Sequence, residues 1–173
     1  MRIDDWRSGS VLLVCGSRSL EPDPQTPPGS PFWKRKAEAF ELLTVEMREW
    51  LKAPGKHLVI HGGARGPDTW SQKLVELARK KPAWAERLHW ASFCPDGWRH
   101  TSAGASERWS PKGVDPLQRN DFMLRFLEAS VALGATVMAL GVRDFTCPAR
   151  RGGTGYTIAK AATMGIKTRL VEA

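Results

Sequence analysis

The segment Leu58-Val59-Ile60-His61-Gly62-Gly63-Ala64-Arg65-Gly66-Pro67-Asp68 constrains the fold more than any other part of this chain. A short apolar run drops directly into a loop with three glycines in five residues, and Pro67 stands at the first position of the helix that follows, where proline sacrifices no hydrogen bond. Glycines let the backbone take positive φ and approach a ligand closely. The free N–H groups of the next helix point outward with the positive end of its dipole, so the junction is suited to an anion, and phosphate is the natural guest.

The same alternation recurs along the chain. Val11-Leu12-Leu13-Val14-Cys15 is a continuous apolar run ended by Gly16, as expected of a strand covered on both faces. Residues 21–32 hold five prolines and no periodicity, which marks a proline-rich insert over 21–33 that forms a loop or lid. Ala37, Phe40, Leu43, Met47 and Trp50 recur at three and four, predicting a helix from Lys34 to Leu51 that Pro54-Gly55 stops. A strand over His57 to Ile60, a helix carried by Trp70, Leu74, Leu77 and Ala78, and a strand over Leu88 to Phe93 follow. Residues 94–115 are rich in Gly, Ser and Pro and read as one long functional or mobile loop.

Asp115-Pro116 starts the next helix, Phe122, Met123, Phe126 and Leu127 supply its buried face, and Gly134 closes it. Thr136 to Leu140 is a fourth strand; Gly152-Gly153-Thr154-Gly155 leads into a short helix ended by Gly165, and Ile166 to Val171 is a fifth strand. This order predicts an α/β fold: a Rossmann-like, doubly wound, mostly parallel five-stranded sheet with helices on both faces. It forms a single domain over 1–173, with 1–10 as an N-terminal extension.

Charge narrows the partners. The 26 Lys and Arg residues exceed the 18 Asp and Glu, a net +8 that attracts nucleotides and other polyanions. The bias is diffuse: Lys34-Arg35-Lys36 and Arg79-Lys80-Lys81 read first as solvated helix faces, so nucleic acid is a partner the sequence permits and does not favour. Cys15, Cys94 and Cys147 are odd in number and show no CxxC or Cys/His spacing, so neither a disulfide framework nor a metal site is expected, and no cofactor is implied. No apolar run reaches membrane-spanning length and residues 1–10 do not resemble a signal peptide; the expectation is a cytoplasmic protein without a membrane partner.

Ligands of parallel α/β folds sit beyond the carboxyl ends of the strands, and every unusual loop of this chain follows a strand. Gly16-Ser17-Arg18 places a hydroxyl, backbone N–H groups and a guanidinium there, Arg18 being suited either to clamp a phosphate or to form a surface ion pair. Gly62, Gly63, Ala64, Arg65 and Gly66 are read as the phosphate cradle, a plain tight strand-to-helix turn being the alternative. Asp68 is open between capping its helix, accepting ribose hydroxyls and acid/base work, and His61 reads as structural. Arg119 and Asn120 offer a guanidinium for phosphate and an amide for a base or ribose. Gly152, Gly153 and Thr154 repeat the cradle design before the last helix. Trp98 is open between stacking on a base and pinning its own loop. Neither glycine loop has the Walker A spacing or the strict GxGxxG fingerprint.

As an ordered set, Val-Cys-Gly-Ser-Arg at 14–18, His-Gly-Gly-Ala-Arg-Gly-Pro-Asp at 61–68, Cys-Pro-Asp-Gly-Trp at 94–98, Ala-Gly-Ala at 103–105, Arg-Asn at 119–120 and Gly-Gly-Thr-Gly at 152–155 resembles the YspA-like branch of the SLOG superfamily. That superfamily includes the LOG phosphoribohydrolases, the DNA-processing protein DprA and nucleotide-sensing domains. The resemblance implies a Rossmann-like fold, recognition of a nucleotide or nucleotide-derived ligand on this rim, and a homodimer or higher homo-oligomer. LOG enzymes carry a PGGxGTxxE pattern with a catalytic glutamate; here Arg151 stands at the Pro position and Ala159 at the Glu position. Asp68, the acidic residue of the glycine-loop motif, is then the candidate catalytic group. Three readings follow: a nucleotide sensor or sequestering protein, a LOG-like hydrolase of an N-glycosidic or phosphate bond, and a DprA-like DNA-binding accessory protein.

Overall fold

In a computed structural model, Trp6, residues 9–146 and residues 153–173 are described. Seven strands form one sheet: β1 (Ser10–Gly16), β2 (His57–His61), β3 (Leu88–Phe93), β4 (Trp98–Thr101), β5 (Ser106–Arg108), β6 (Thr136–Arg143) and β7 (Lys167–Glu172). Their order is β5-β4-β3-β2-β1-β6-β7. β1, β2, β3, β6 and β7 are parallel, with Leu13 in register between Ile60 and Ala139, whereas β4 and β5 run antiparallel at one edge. The chain steps outward from β1 to β2 and β3, then returns to the other side of β1 as β6 and β7. That reversal opens a crevice outside the carboxyl ends of β1 and β6.

Alternation along β1 divides the core. Leu12 and Val14 pack with Val59, with Ala39, Leu43 and Met47 of α1 (Pro31–Trp50), and with Trp70 and Val75 of α2 (Pro67–Arg79). Val11 and Leu13 join Leu58, Ile60, Ala91 and Phe93 against Met123, Leu124 and Leu127 of α4 (Pro116–Ala132) and Ala161 of α5 (Gly153–Thr163). Successive strand residues point to opposite faces, so helices cover both sides of the sheet. A short α3 (Pro82–Ala85) precedes β3. No helix is long and apolar enough to cross a membrane among the described residues.

Two expectations are corrected. The sheet has seven strands rather than five because residues 94–115 are not one loop but carry the β4–β5 hairpin. Its strands are three and four residues long and polar, too short to show alternation, and Gly97 and Gly104 take positive φ at its turns. Trp109 holds the hairpin down: its ring packs on Phe122 at 4.6 Å and on Phe93 at 6.0 Å, and its Nε1 donates to the carbonyls of Cys94 and Trp98. The second correction is at the insert. α1 begins at Pro31 rather than Lys34, because proline at the first helical position has its φ already set for the helix and gives up no hydrogen bond.

Replacing Trp109 with alanine removes the ring that fastens the hairpin to the sheet. Amide exchange should accelerate across β4 and β5 and stay unchanged in β1 and β6, with a loss of global stability of about 2 kcal/mol, below the range for a fully buried tryptophan. Uniform acceleration over all strands would contradict this role.

Candidate functional site

The site is built around one carboxylate. Asp68, in the first turn of α2, is 2% exposed. Its Oδ1 accepts the Gly16 N–H at 3.2 Å, and its Oδ2 accepts those of Gly62 at 3.0 Å and Ala64 at 3.3 Å. One side chain thereby ties the end of β1 to the loop after β2. Burial pushes its carboxyl up to about 6, against the pull of Arg119 and the three N–H donors.

The glycines answer to packing around this centre. A Cβ on Gly16 would run into the Pro67 ring, and one on Gly62 would enter the Arg119 guanidinium. Gly66 takes φ of 90° where the loop turns into α2, a conformation that only glycine adopts readily. The Gly63 N–H donates to His61 Nδ1 at 3.1 Å. The loop's N–H groups at 62, 63 and 64 therefore point at protein acceptors, and the space foreseen for a phosphate is filled from within by Asp68 and His61. His61 is fully buried, and its imidazole is held neutral down to about pH 3, by burial first and by Arg119 second.

Arg119 runs the connection across the crevice. α4 is capped by Asp115, whose Oδ1 accepts the N–H groups of Leu117 and Gln118 at 2.7 and 3.1 Å. From its first turn, Arg119 Nη1 donates to the Gly62 carbonyl at 2.7 Å, while Nε and Nη2 donate to Asn120 Oδ1. Asn120 Nδ2 donates to Thr157 Oγ1 at 2.7 Å, and Thr157 donates to the Gly153 carbonyl at 2.6 Å. A continuous polar chain thus links the β2 loop, α4 and the start of α5.

Above this chain lies a cavity of about 640 Å³. Gly16, Ser17, Arg18, Ala64, Asp68, Arg119, Asn120, Gly153 and Thr154 line it, so nine of the foreseen site residues converge at the strand reversal. Gly63 and Arg65 instead line an adjoining cavity that shares Arg18 and Ala64. Gly62 and Gly66 line neither; Gly62 lies against Arg119. Trp98 also lines neither, and stacks with Arg108 at 5.0 Å on the hairpin. Gly152, with Arg151 and Cys147, falls outside the described residues. Sequence reasoning did not assign Cys15, Ser19, Asp115 or Leu117 to the cavity. Ser19 was recoverable from the hydroxyl repeat Ser17-x-Ser19, and its Oγ donates to Ser17 Oγ at 3.1 Å.

The electrostatics are unbalanced. Arg119 is 5% exposed, and its pKa is lowered first by burial, with Asp68 opposing and Arg18 adding to the shift. Arg18 is exposed and makes no ion pair among the described residues. Both carboxylates that line the cavity, Asp68 and Asp115, are engaged by backbone N–H groups. No group of three or more His, Cys, Asp or Glu is arranged to hold a metal ion among the described residues. Burial and the adjacent arginine also hold the Cys15 thiol environment in opposition, and burial prevails, raising its pKa. Comparison of the chain with family models, curated proteins and solved structures finds no match.

Changing Asp68 to alanine leaves three N–H groups without their acceptor, at roughly 1–3 kcal/mol each before relaxation. A loss of about 3 kcal/mol in urea unfolding is expected, and an unchanged midpoint would show that the carboxylate is not the tie. Acid acts on this centre through His61 and elsewhere through His89, which bonds Arg79 and Ser102. His61 stays neutral to about 3 and His89 to about 4 in the fold, whereas the unfolded chain takes up those protons near 6.5. Stability present above pH 6.5 is therefore lost as pH falls, about 2 kcal/mol at pH 5 for the fully buried His61, with His89 adding a smaller, solvent-screened loss of the same sign. Asp68 acts in the opposite sense: its contribution is fully present below 3.8 and lost as pH rises through about 6. It returns about 1 kcal/mol at pH 5, so stability should still fall from pH 7 to 5, His57 with its lowered pKa acting in the same direction as His61 and His89; urea unfolding at the two pH values checks the sign.

Proposed function

We propose that this cavity binds a nucleotide or nucleotide-derived ligand, and that the protein is a cytoplasmic sensor or sequestering protein of Rossmann-like, doubly wound design from the YspA-like branch of the SLOG superfamily. The observation that carries the reading is the pair Arg18 and Arg119 at the strand reversal: two cations close enough to oppose each other's charge, neither in an ion pair among the described residues. A ligand phosphate between them would relieve that repulsion and gain charge-assisted hydrogen bonds. Ser17, Ser19 and Thr154 supply hydroxyls at the same rim, and Asn120 supplies an amide. The ordered motifs from Gly16 to Thr154 support the family assignment.

The cavity favours holding over cleaving. Asp68 is the carboxylate of the glycine-loop motif, and all three of its hydrogen bonds come from the backbone. Hydrolysis by general acid and base needs a group free to move a proton at the substrate. Ala159 stands where the LOG glutamate would be. The phosphate is therefore held by side chains and the start of α5 rather than by the loop at 62–64.

Calorimetric titration with the four nucleoside mono- and diphosphates tests the reading. At least one should bind more tightly than about 1 mM, the affinity that corresponds to roughly 4 kcal/mol. Arg18→Ala should weaken that ligand by roughly 10- to 150-fold, since a charge-assisted contact contributes about 1.5–3 kcal/mol, and should leave unfolding unchanged because Arg18 is exposed. The absence of any such ligand overturns the reading.

A further inference from the structure

A second cavity of about 570 Å³ adjoins the first, and the two share Arg18 and Ala64 as a common wall. Its remaining lining is Gly63 and Arg65 from the β2 loop and Glu21-Pro22-Asp23-Pro24 from the proline-rich insert. Each cavity alone falls within the roughly 300–1,000 Å³ of small-molecule sites. Together they offer room for a ligand with one part on either side of Arg18 and Ala64.

The far wall is preformed. Glu21 Oε1 accepts from Trp70 Nε1 at 2.6 Å and its Oε2 pairs with Lys36 at 3.0 Å, so both carboxylate oxygens anchor the insert to α1 and α2. The Lys36 ammonium lies 5.6 Å from the ring centroids of both Trp33 and Trp70. Pro22 and Pro24 fix their own φ, and Asp23 Oδ1 accepts the Gln25 N–H at 2.9 Å. The polar groups that remain for a guest are the guanidinium groups of Arg18 and Arg65, neither in an ion pair among the described residues, and the second oxygen of Asp23.

That combination selects a chemistry. A terminal phosphate in the second cavity would meet a carboxylate, whereas sugar hydroxyls can donate to Asp23 and accept from Arg65. The shared wall, by contrast, carries the cation Arg18. We propose that the ligand is bipartite: a phosphate bridge at Arg18, a nucleoside in the larger cavity, and a second hydroxyl-bearing moiety in the smaller one against Arg65 and Asp23. This rests on the nucleotide reading above and narrows it to dinucleotide-type molecules.

The test titrates the full chain with each of the four nucleoside monophosphates and with the matching symmetrical dinucleoside diphosphates. At least one dinucleotide should bind about tenfold or more tightly than its mononucleotide, a gain of roughly 1.4 kcal/mol. Arg65→Ala and Asp23→Ala, both at the surface of the second cavity, should remove that gain and leave mononucleotide affinity and unfolding unchanged. Equal affinity for the two ligand types, or equal weakening of both by the substitutions, overturns the second subsite while the nucleotide reading stands. Failure of every nucleotide to bind overturns the parent reading and the subsite with it.

Discussion

The buried Asp68 carboxylate is the interaction on which the functional rim depends. Two strand ends that are neighbours in the sheet, β1 and β2, send their loops outward, and each loop brings N–H groups that need an acceptor away from water. Asp68 accepts from both loops at once. The cost of burying its charge is visible in its raised pKa, and the backbone donors together with Arg119 offset part of it. Without that carboxylate the two loops would have no common partner, and the floor of the crevice would not be defined.

From this floor the polar chain through Arg119, Asn120 and Thr157 extends order to the start of α5. Its members hydrogen-bond one another, and apart from Arg119 and Asn120, which also line the cavity, the groups that hold the rim together are largely separate from those left open to a guest. Arg18, Ser17, Ser19 and Thr154 belong to the second set. This division is why the rim can be rigid and still present unbalanced charge. It also redefines the glycine loop: close packing at Gly16 and Gly62 and the turn at Gly66 account for its composition, and the anion falls to the side chains around it.

How legible these features were depended on whether their causes were local. Four of the five parallel strands were readable because each is a largely buried run of five to eight residues; β7 is a mostly exposed edge strand, readable only from its place after Gly165, and helix ends were marked by Pro67, Asp115-Pro116, Gly134 and Gly165. The β4–β5 hairpin was not readable, since its strands are short and polar and its anchor, Trp109, acts through rings on β3 and α4. At the rim, the convergence of Arg18, Asp68, Arg119, Asn120 and Thr154 followed from their placement after strands, or in the first turn of a helix. The partner of each did not.

The sequence by itself determined the alternation of apolar runs and amphipathic helices, the strand-to-loop junctions and the residue types delivered to one rim, because those depend on periodicity and on glycine and proline conformation. Only the tertiary structure decided that Asp68 faces backbone donors from two loops, that Arg119 spans from Gly62 to Asn120, and that Trp98 lies away from the cavity. A hydrogen bond is set by distance and direction between groups far apart in the chain. Asp68 and Gly16 are 52 residues apart and Arg119 and Gly62 are 57 apart, and no local pattern specifies such pairs.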